Sequence, residues 1–103
     1  MQTGDSVCAW SEGRIRISSG EGTFYLAPAD IVTLLVDRRE VPLLLENGEA
    51  DVEASVFQHP HSQNVVISVL NNAWIVSREN IAALYHGEIT ECGMERIAYR
   101  GIL

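Results

Sequence analysis

The residues best suited to chemistry are three histidines, a serine and two cysteines. His59 and His61 stand two positions apart, Ser62 follows directly, and His86 lies further along the chain. Imidazole exchanges protons near neutral pH and is the commonest metal ligand in proteins, while a serine paired with a histidine is a typical nucleophile. The chemistries to consider are therefore a metal site and nucleophilic catalysis.

The spacing of these residues fits neither chemistry. The chain has no Cys-x-x-Cys pair, and the histidines are divided between a predicted loop and a predicted helix end, unlike the ligands of a closed zinc site. No glycine-bounded elbow surrounds Ser62, and no partner acid can be identified. We therefore predict no catalytic residue, no metal ligand and no cofactor. The chain is then not an enzyme, and His59, His61 and His86 are polar loop residues.

Cys8 and Cys92 are the only cysteines, the first in a predicted strand and the second in a predicted loop near the end of the chain. Two cysteines in a cytoplasmic protein are ordinarily reduced, and Cys8 then serves as a small buried hydrophobe. A disulfide that joins the two is the alternative. A reactive thiol is disfavoured because no basic residue flanks either cysteine.

The charge balance is acidic and excludes several functions. The chain holds 14 Asp plus Glu against 7 basic residues, for a net charge of −7, and every basic residue is arginine. Without lysine there is no Schiff-base, general-base or P-loop lysine. This pattern predicts a long negative surface, either simply solvated or open to a basic protein partner. The segment between Arg39 and Arg78 has no arginine but carries carboxylates at Glu40, Glu46, Glu49, Asp51 and Glu53.

Length and composition predict a single domain over residues 1–103. A chain of 103 residues is large enough for one hydrophobic core, and an apolar content of 47% excludes wholesale disorder. No run of about 18 apolar residues is present, so we predict no membrane span. The N-terminus lacks the basic-then-apolar pattern of a signal peptide, which favours a cytoplasmic protein.

Residues 15–35 match residues 65–85 without a gap. The two windows agree by residue class more than by identity, as in Phe24 with Trp74, and both change from a strand-like to a helix-like period at the same point. We interpret the match as an internal duplication. The alternative is that any two strand-then-helix units look alike at this level. The identical pairs are Ile17 with Ile67, Ser18 with Ser68, Ile31 with Ile81, and Leu34 with Leu84.

The duplicated pattern predicts the fold. Each pseudo-repeat, over about residues 6–45 and 50–103, reads as the element order β-β-β-α-β. Pro28 suits the first turn of one helix and Ser77 the N-cap of the other, while Gly87 suits the end of the second helix. We predict an α+β fold with a mostly antiparallel, bent or barrel-like sheet of about eight strands, two short helices and an internal pseudo-twofold axis.

A hairpin around Asn71-Asn72 assigns the faces of the sheet. Two consecutive asparagines tolerate the positive φ angles of a two-residue turn, which makes Ile67 face Val76 across the strands. Both faces are apolar, so this hairpin lies in a covered sheet or at a subunit contact. We predict a homo-oligomer, most simply a twofold dimer. One face holds Val65, Ile67, Val69, Trp74 and Val76, and the other supplies the candidate interface residues Val66, Leu70 and Ile75.

The second half of the chain, from Val41 to Tyr85, reads β-β-β-β-α when it is shifted by one element. That order resembles the repeat of the PC4 and PUR families of single-stranded nucleic-acid binders. The resemblance implies basic and aromatic residues on the sheet, whereas residues 41–76 include no arginine or lysine. A net charge of −7 also opposes phosphate binding. We therefore assign no family on this order.

Three functions remain, in order of preference. The first is a non-catalytic, acidic binding or assembly module that self-associates and interacts with protein, favoured by the apolar strands and the lack of a catalytic constellation. The second is a small-molecule sensor or minor enzyme with a pocket near the pseudo-twofold axis, using His59, His61 and His86 as acid-base groups. The third is a PUR-like or PC4-like binder of single-stranded nucleic acid.

Overall fold

The structure, a computed structural model, describes residues 7–98. Within that range it contains one antiparallel sheet of nine strands and two short helices, and no helix has both the length and the apolar content needed to cross a membrane. The helices are α1 (Pro28–Val32), which continues as a π-helix over Thr33–Asp37, and α2 (Arg78–Tyr85). The strands are β1 (Val7–Ser11), β2 (Arg14–Ser19), β3 (Gly22–Leu26), β4 (Val41–Leu44), β5 (Ala50–Gln58), β6 (Asn64–Val69), β7 (Asn72–Ser77), β8 (Glu91–Gly93) and β9 (Glu95–Ile97).

The sheet is a nearly closed barrel. The last two strands are separated only by Met94, yet β8 pairs with β1 while β9 pairs with β7. Residues 91–97, which we call the seam segment, therefore bridge the first and seventh strands. The predicted α+β class and barrel-like antiparallel sheet are confirmed.

The described strands number nine rather than about eight, because the C-terminal strand starts earlier than expected. The sequence predicts a single final strand over residues 94–103, through Ile97, Tyr99 and Ile102, whereas two short strands flank Met94 in the structure. These two strands pair with opposite edges of the sheet, so the pairing changes partner at Met94. The sequence also predicts a loose N-terminal tail over residues 1–5. This tail and the part of the predicted final strand beyond residue 98 lie outside the described residues.

Inward-pointing side chains fill the barrel, and both helices contribute to this core. Alternate residues of each strand point inward because successive side chains of a strand lie on opposite faces. The β6–β7 hairpin contributes Val65, Ile67, Val69, Trp74 and Val76, the face predicted from the sequence. The helical segments contribute four fully buried residues, Ile31, Leu34, Ile81 and Leu84.

The β6–β7 hairpin differs from the prediction in its register. Ile67 pairs with Trp74 rather than with Val76, and the two turn residues are Leu70 and Asn71. The side chains keep their predicted faces because a register change of two residues preserves the alternation. One consequence is that Leu70 takes a positive φ angle of 57°.

The helix ends follow the predicted capping chemistry. Pro28 is the first residue of α1, and the Ser77 hydroxyl accepts a hydrogen bond from the Asn80 N–H at 3.0 Å, as an N-cap of α2 should. Gly87, with a φ angle of 77°, follows α2 in the left-handed conformation, and its N–H donates to the carbonyl of Leu84 at 3.2 Å. These contacts fix where each helix leaves the barrel.

Candidate functional site

The histidine loop between β5 and β6 joins Ser62 to His59 rather than to the adjacent His61. The Oγ of Ser62 lies 3.1 Å from the Nδ1 of His59, and the backbone N–H of His61 donates to the same nitrogen at 3.1 Å. Since that nitrogen accepts an amide proton, it carries none of its own, and the Ser62 hydroxyl is the donor. A serine-histidine pair thus exists at this loop.

The contacts around this pair are those of a folded loop. The Oγ of Ser62 also accepts the N–H of Asn64 at 3.3 Å. The side-chain amide of Gln58 donates to the carbonyls of His59, Ser62 and Asn64 at 3.1, 2.7 and 3.0 Å. Such local bonds between side chains and backbone are typical of turns. The absence of catalysis stays a prediction, and this geometry gives no reason to change it.

The histidines do not gather into a metal site within residues 7–98. His59 and His61 contact each other edge to face, with ring centroids 6.1 Å apart, whereas His86 packs against the Tyr85 ring at 5.3 Å. In that part of the chain no group of three or more His, Cys, Asp or Glu side chains is close enough to hold a metal ion. The small-molecule pocket that would use the three histidines as acid-base groups stays a prediction.

The two cysteines do come together. Cys92 lies in β8 rather than in the predicted loop, and it pairs directly with Cys8 of β1. Both are free thiols. Their spacing in the sequence does not predict this contact, because the contact depends on the pairing of the seam segment with β1.

Arg78 is the residue that sequence reasoning missed. Its guanidinium donates to the backbone carbonyls of Leu34, at 3.3 Å, and of Leu35, and also to the Oε1 of Gln58 at 2.9 Å. The carbonyls belong to the π-helix, so a side chain from the start of α2 holds the end of the first helical segment. Burial lowers the pKa of Arg78 below its usual value, and the nearby charge of Arg38 lowers it further.

The sequence did carry a signal for this contact. An arginine at the first position of a helix places positive charge against the positive end of the helix dipole. Such an arrangement needs compensation, and the carbonyl end of the first helical segment provides it.

We expect Arg78→Met to lower the free energy of unfolding by about 1 to 3 kcal/mol, because it leaves partly buried carbonyls without their donor. Arg38→Met is the matched control, since it removes the same charge from an exposed neighbour and should change stability by less than about 0.5 kcal/mol. Urea unfolding of both variants measures the difference. Equal midpoints would show that the guanidinium contacts contribute nothing to the fold.

An acidic groove runs across β4, β5 and the turn between β6 and β7. Its volume is about 840 Å³, and its floor includes Ser68, which pairs with Ser55 across the strands. Only 8% of Ser68 is exposed. A nearly buried hydroxyl carries a desolvation cost that a hydrogen bond to a ligand can offset. The charged, polar and apolar side chains considered below, all in the lining of the acidic groove, are Glu40, Asp51, Val52, Glu53, Ser68 and Leu70.

Leu70 and Val52 give the acidic groove exposed apolar surface. Val52 is 97% exposed and Leu70 is 52% exposed. Leu70 is also held in the left-handed region, at φ 57°, with its N–H donating to the carbonyl of Glu53 at 2.9 Å. A hairpin turn with a positive φ at its first central residue ordinarily has glycine there. Leucine at this position costs stability, which makes Leu70 a candidate for a functional role.

The three candidate interface residues do not form one exposed patch. Val66 is fully buried, Ile75 is partly buried, and only Leu70 is largely exposed. Val66 is flanked directly by Phe57 on β5 and by Ile75 on β7. The alternation of the strand correctly put Val66 on the face opposite Ile67, but it does not reveal how closely neighbours cover that face.

Comparisons of this chain with protein-family models, with curated proteins and with solved structures found no match.

Proposed function

We propose that this protein is a non-catalytic binding module whose acidic groove takes an extended, basic segment of a partner protein. The observation that carries the proposal is the combination of carboxylates from Glu40, Asp51 and Glu53 with the exposed side chains of Val52 and Leu70 around one groove. Carboxylates attract arginine and lysine, and apolar side chains among them contact the aliphatic parts of such a segment. Together they favour a chain that alternates basic and apolar residues.

The nearly buried Ser68 in the lining of the acidic groove favours a bound peptide over a single ion. The hydroxyl of Ser68 can donate to or accept from the backbone of a bound segment, which would satisfy a polar group that is nine-tenths buried. A nucleic acid is disfavoured because phosphates would meet three carboxylates and an overall charge of −7. The chemistry of the acidic groove thus selects for positive charge together with apolar surface.

A fluorescent octapeptide that alternates arginine and valine should bind this protein saturably, and one that alternates glutamate and valine should not. The double variant Asp51→Asn with Glu53→Gln should weaken binding about tenfold, as expected for the loss of roughly 1.4 kcal/mol. The matched control removes two exposed carboxylates from distant turns, Glu12→Gln with Glu21→Gln, and should leave affinity nearly unchanged. If both double variants weakened binding of the peptide equally, the effect would come from net charge alone, and the proposal would be contradicted.

Leu70→Asn should separate binding from stability. Asparagine tolerates the left-handed conformation better than leucine. The free energy of unfolding of the variant should therefore be about 0.5 to 1 kcal/mol higher than that of the parent. The same change removes apolar surface from the acidic groove and should weaken binding of the arginine-valine peptide severalfold. Thermal unfolding and fluorescence anisotropy measure the two effects. A stabilised variant with undiminished affinity would show that the strain at this turn serves another purpose.

Self-association stays a prediction, and the acidic groove is a poor surface for it. Two copies that met through a twofold axis at the groove would bring identical carboxylates of Asp51 and Glu53 together, and like charges repel. Light scattering of the parent protein measures its oligomeric state. A cytoplasmic location likewise rests on the sequence alone.

We also propose that the two halves derive from one duplicated unit. Ile17 pairs with Phe24 in the β2–β3 hairpin, and Ile67, fifty positions later in the repeat alignment, pairs with Trp74 in the β6–β7 hairpin. The final strands correspond as well, since β4 lies between β3 and β5 while the seam segment lies between β7 and β1. The acidic groove lies mostly on the second half, so binding would have been acquired after the duplication.

A further inference from the structure

The strongest chemical feature outside the acidic groove is the cysteine pair at the barrel seam. Cys8 and Cys92 lie directly opposite each other on β1 and β8. We propose that they form a peroxide-sensitive dithiol, which hydrogen peroxide converts to a cross-strand disulfide that fastens the seam segment to β1. The acidic groove is lined by neither strand, so this site functions independently of it.

The register of the two strands places the Cα atoms of Cys8 and Cys92 at a separation that a disulfide can span. The N–H of Trp10 donates to the carbonyl of Thr90 at 3.1 Å, two residues along the same ladder from Cys8 and Cys92. Both pairs are therefore of the hydrogen-bonded type, for which Cα atoms lie about 5.5 Å apart. Disulfides span Cα separations of about 4.4 to 6.8 Å. Closing the bond then requires the two Cβ atoms to approach to about 3.5 to 4.5 Å, a local adjustment at the three-residue β8.

The two thiols have different environments, which assigns their roles. Cys8 is fully buried in the core, whereas Cys92 is partly exposed at its edge. A hydrogen bond between the thiols raises the pKa of Cys8 and lowers that of Cys92, and burial raises the pKa of Cys8 further. For Cys92, burial and the charge of Glu91 oppose the lowering without reversing it. Cys92 is thus the thiol that meets solvent and ionises first.

The reaction balances with hydrogen peroxide as the only oxidant. The Cys92 thiolate attacks one peroxide oxygen, the O–O bond breaks, and Cys92 becomes a sulfenic acid while hydroxide leaves. Cys8 then loses its proton and attacks the Cys92 sulfur, the S–O bond breaks, and the second hydroxide leaves with that proton as water. The proton first released by Cys92 neutralises the other hydroxide. Two thiols and one peroxide give one disulfide and two waters.

The bond would act where the strand pairing is short. β8 is only three residues long, and the seam segment changes its partner at Met94. A link from Cys92 to Cys8 closes a loop of nearly the whole chain, and long loops give the largest reduction in the entropy of the unfolded state. Oxidation should therefore raise the thermal unfolding midpoint by about 5 to 15 °C.

The test is to treat the full chain with hydrogen peroxide and measure its mass, its peptides and its melting temperature. The intact mass should fall by about 2 Da as two thiol hydrogens are lost. Because the chain has no lysine, trypsin cleaves only after arginine, and Cys8 and Cys92 should appear in one linked product of residues 1–14 and 79–96. A reducing agent should separate the two peptides and return the melting temperature to its starting value.

Two variants assign the roles of the thiols. In Cys8→Ala, Cys92 should react with peroxide and be trapped as a dimedone adduct, with no rise in melting temperature. In Cys92→Ser, Cys8 should remain unmodified because it is buried. The proposal is overturned if the parent protein yields separate sulfinic or sulfonic peptides without the linked product. It is equally overturned if the linkage joins two chains, which a non-reducing gel would show as a covalent dimer.

Discussion

Val66→Arg is expected to unfold the domain, with a loss of about 5 kcal/mol or more. Val66 is fully buried, and its strand neighbours Phe57 and Ile75 flank it directly. An arginine there would bring a charge into a site with no room for water, at a cost of several kcal/mol, and its extra volume would displace those neighbours. That total is comparable to the whole stability of a small domain. Circular dichroism should show no cooperative thermal transition.

Leu70→Arg is the matched control, because it introduces the same side chain four residues later at a position that is 52% exposed. This variant should fold with nearly the parent melting temperature. The pair of variants also tests the dimer predicted from the sequence. If Val66→Arg folded normally and converted a dimeric parent to a monomer, Val66 would belong to a subunit interface and its burial within one chain would be refuted.

Much of the architecture could be predicted because local chemistry determines it. Pro28, Ser77 and Gly87 end up at the helix ends where capping rules put them, and strand alternation separated Ile67 from Val66 correctly. The seam segment could not be predicted in the same way. Its two strands are three residues each and bind opposite edges of the sheet, so their existence depends on closure of the barrel and not on local preference.

The candidate sites were harder to predict because they depend on contacts distant in sequence. Leu70 was identified as apolar and outward-facing, but its strained turn followed from a register that Asn71-Asn72 did not determine. Arg78 and Leu34 are 44 positions apart and meet only because the helices pack together. The carboxylates of the acidic groove were visible as a charge pattern. Their position around one groove together with Val52 and Leu70 could not be predicted, because it depends on how β4, β5 and the turn between β6 and β7 come together.

Leu34→Ala and Leu84→Ala are each expected to lower the free energy of unfolding by about 2 to 5 kcal/mol. Both side chains are fully buried, Leu34 in the π-helix and Leu84 in α2, and both belong to the core that fills the barrel. Alanine removes three carbons that the surrounding strands cannot fully replace, so a cavity adds to the lost burial. Chemical unfolding at equilibrium measures both variants.

The control for these variants is Val36→Ala, which lies in the same π-helix as Leu34 but is 72% exposed. It should change stability by less than about 0.5 kcal/mol, since little apolar surface is lost from the core. A similar, large loss for Leu34→Ala and Leu84→Ala would be expected if the two helical segments hold equivalent places in the barrel. Unfolding midpoints equal to that of the parent would contradict the assignment of both leucines to the core. They would also contradict the conclusion that these side chains hold the helices against the barrel.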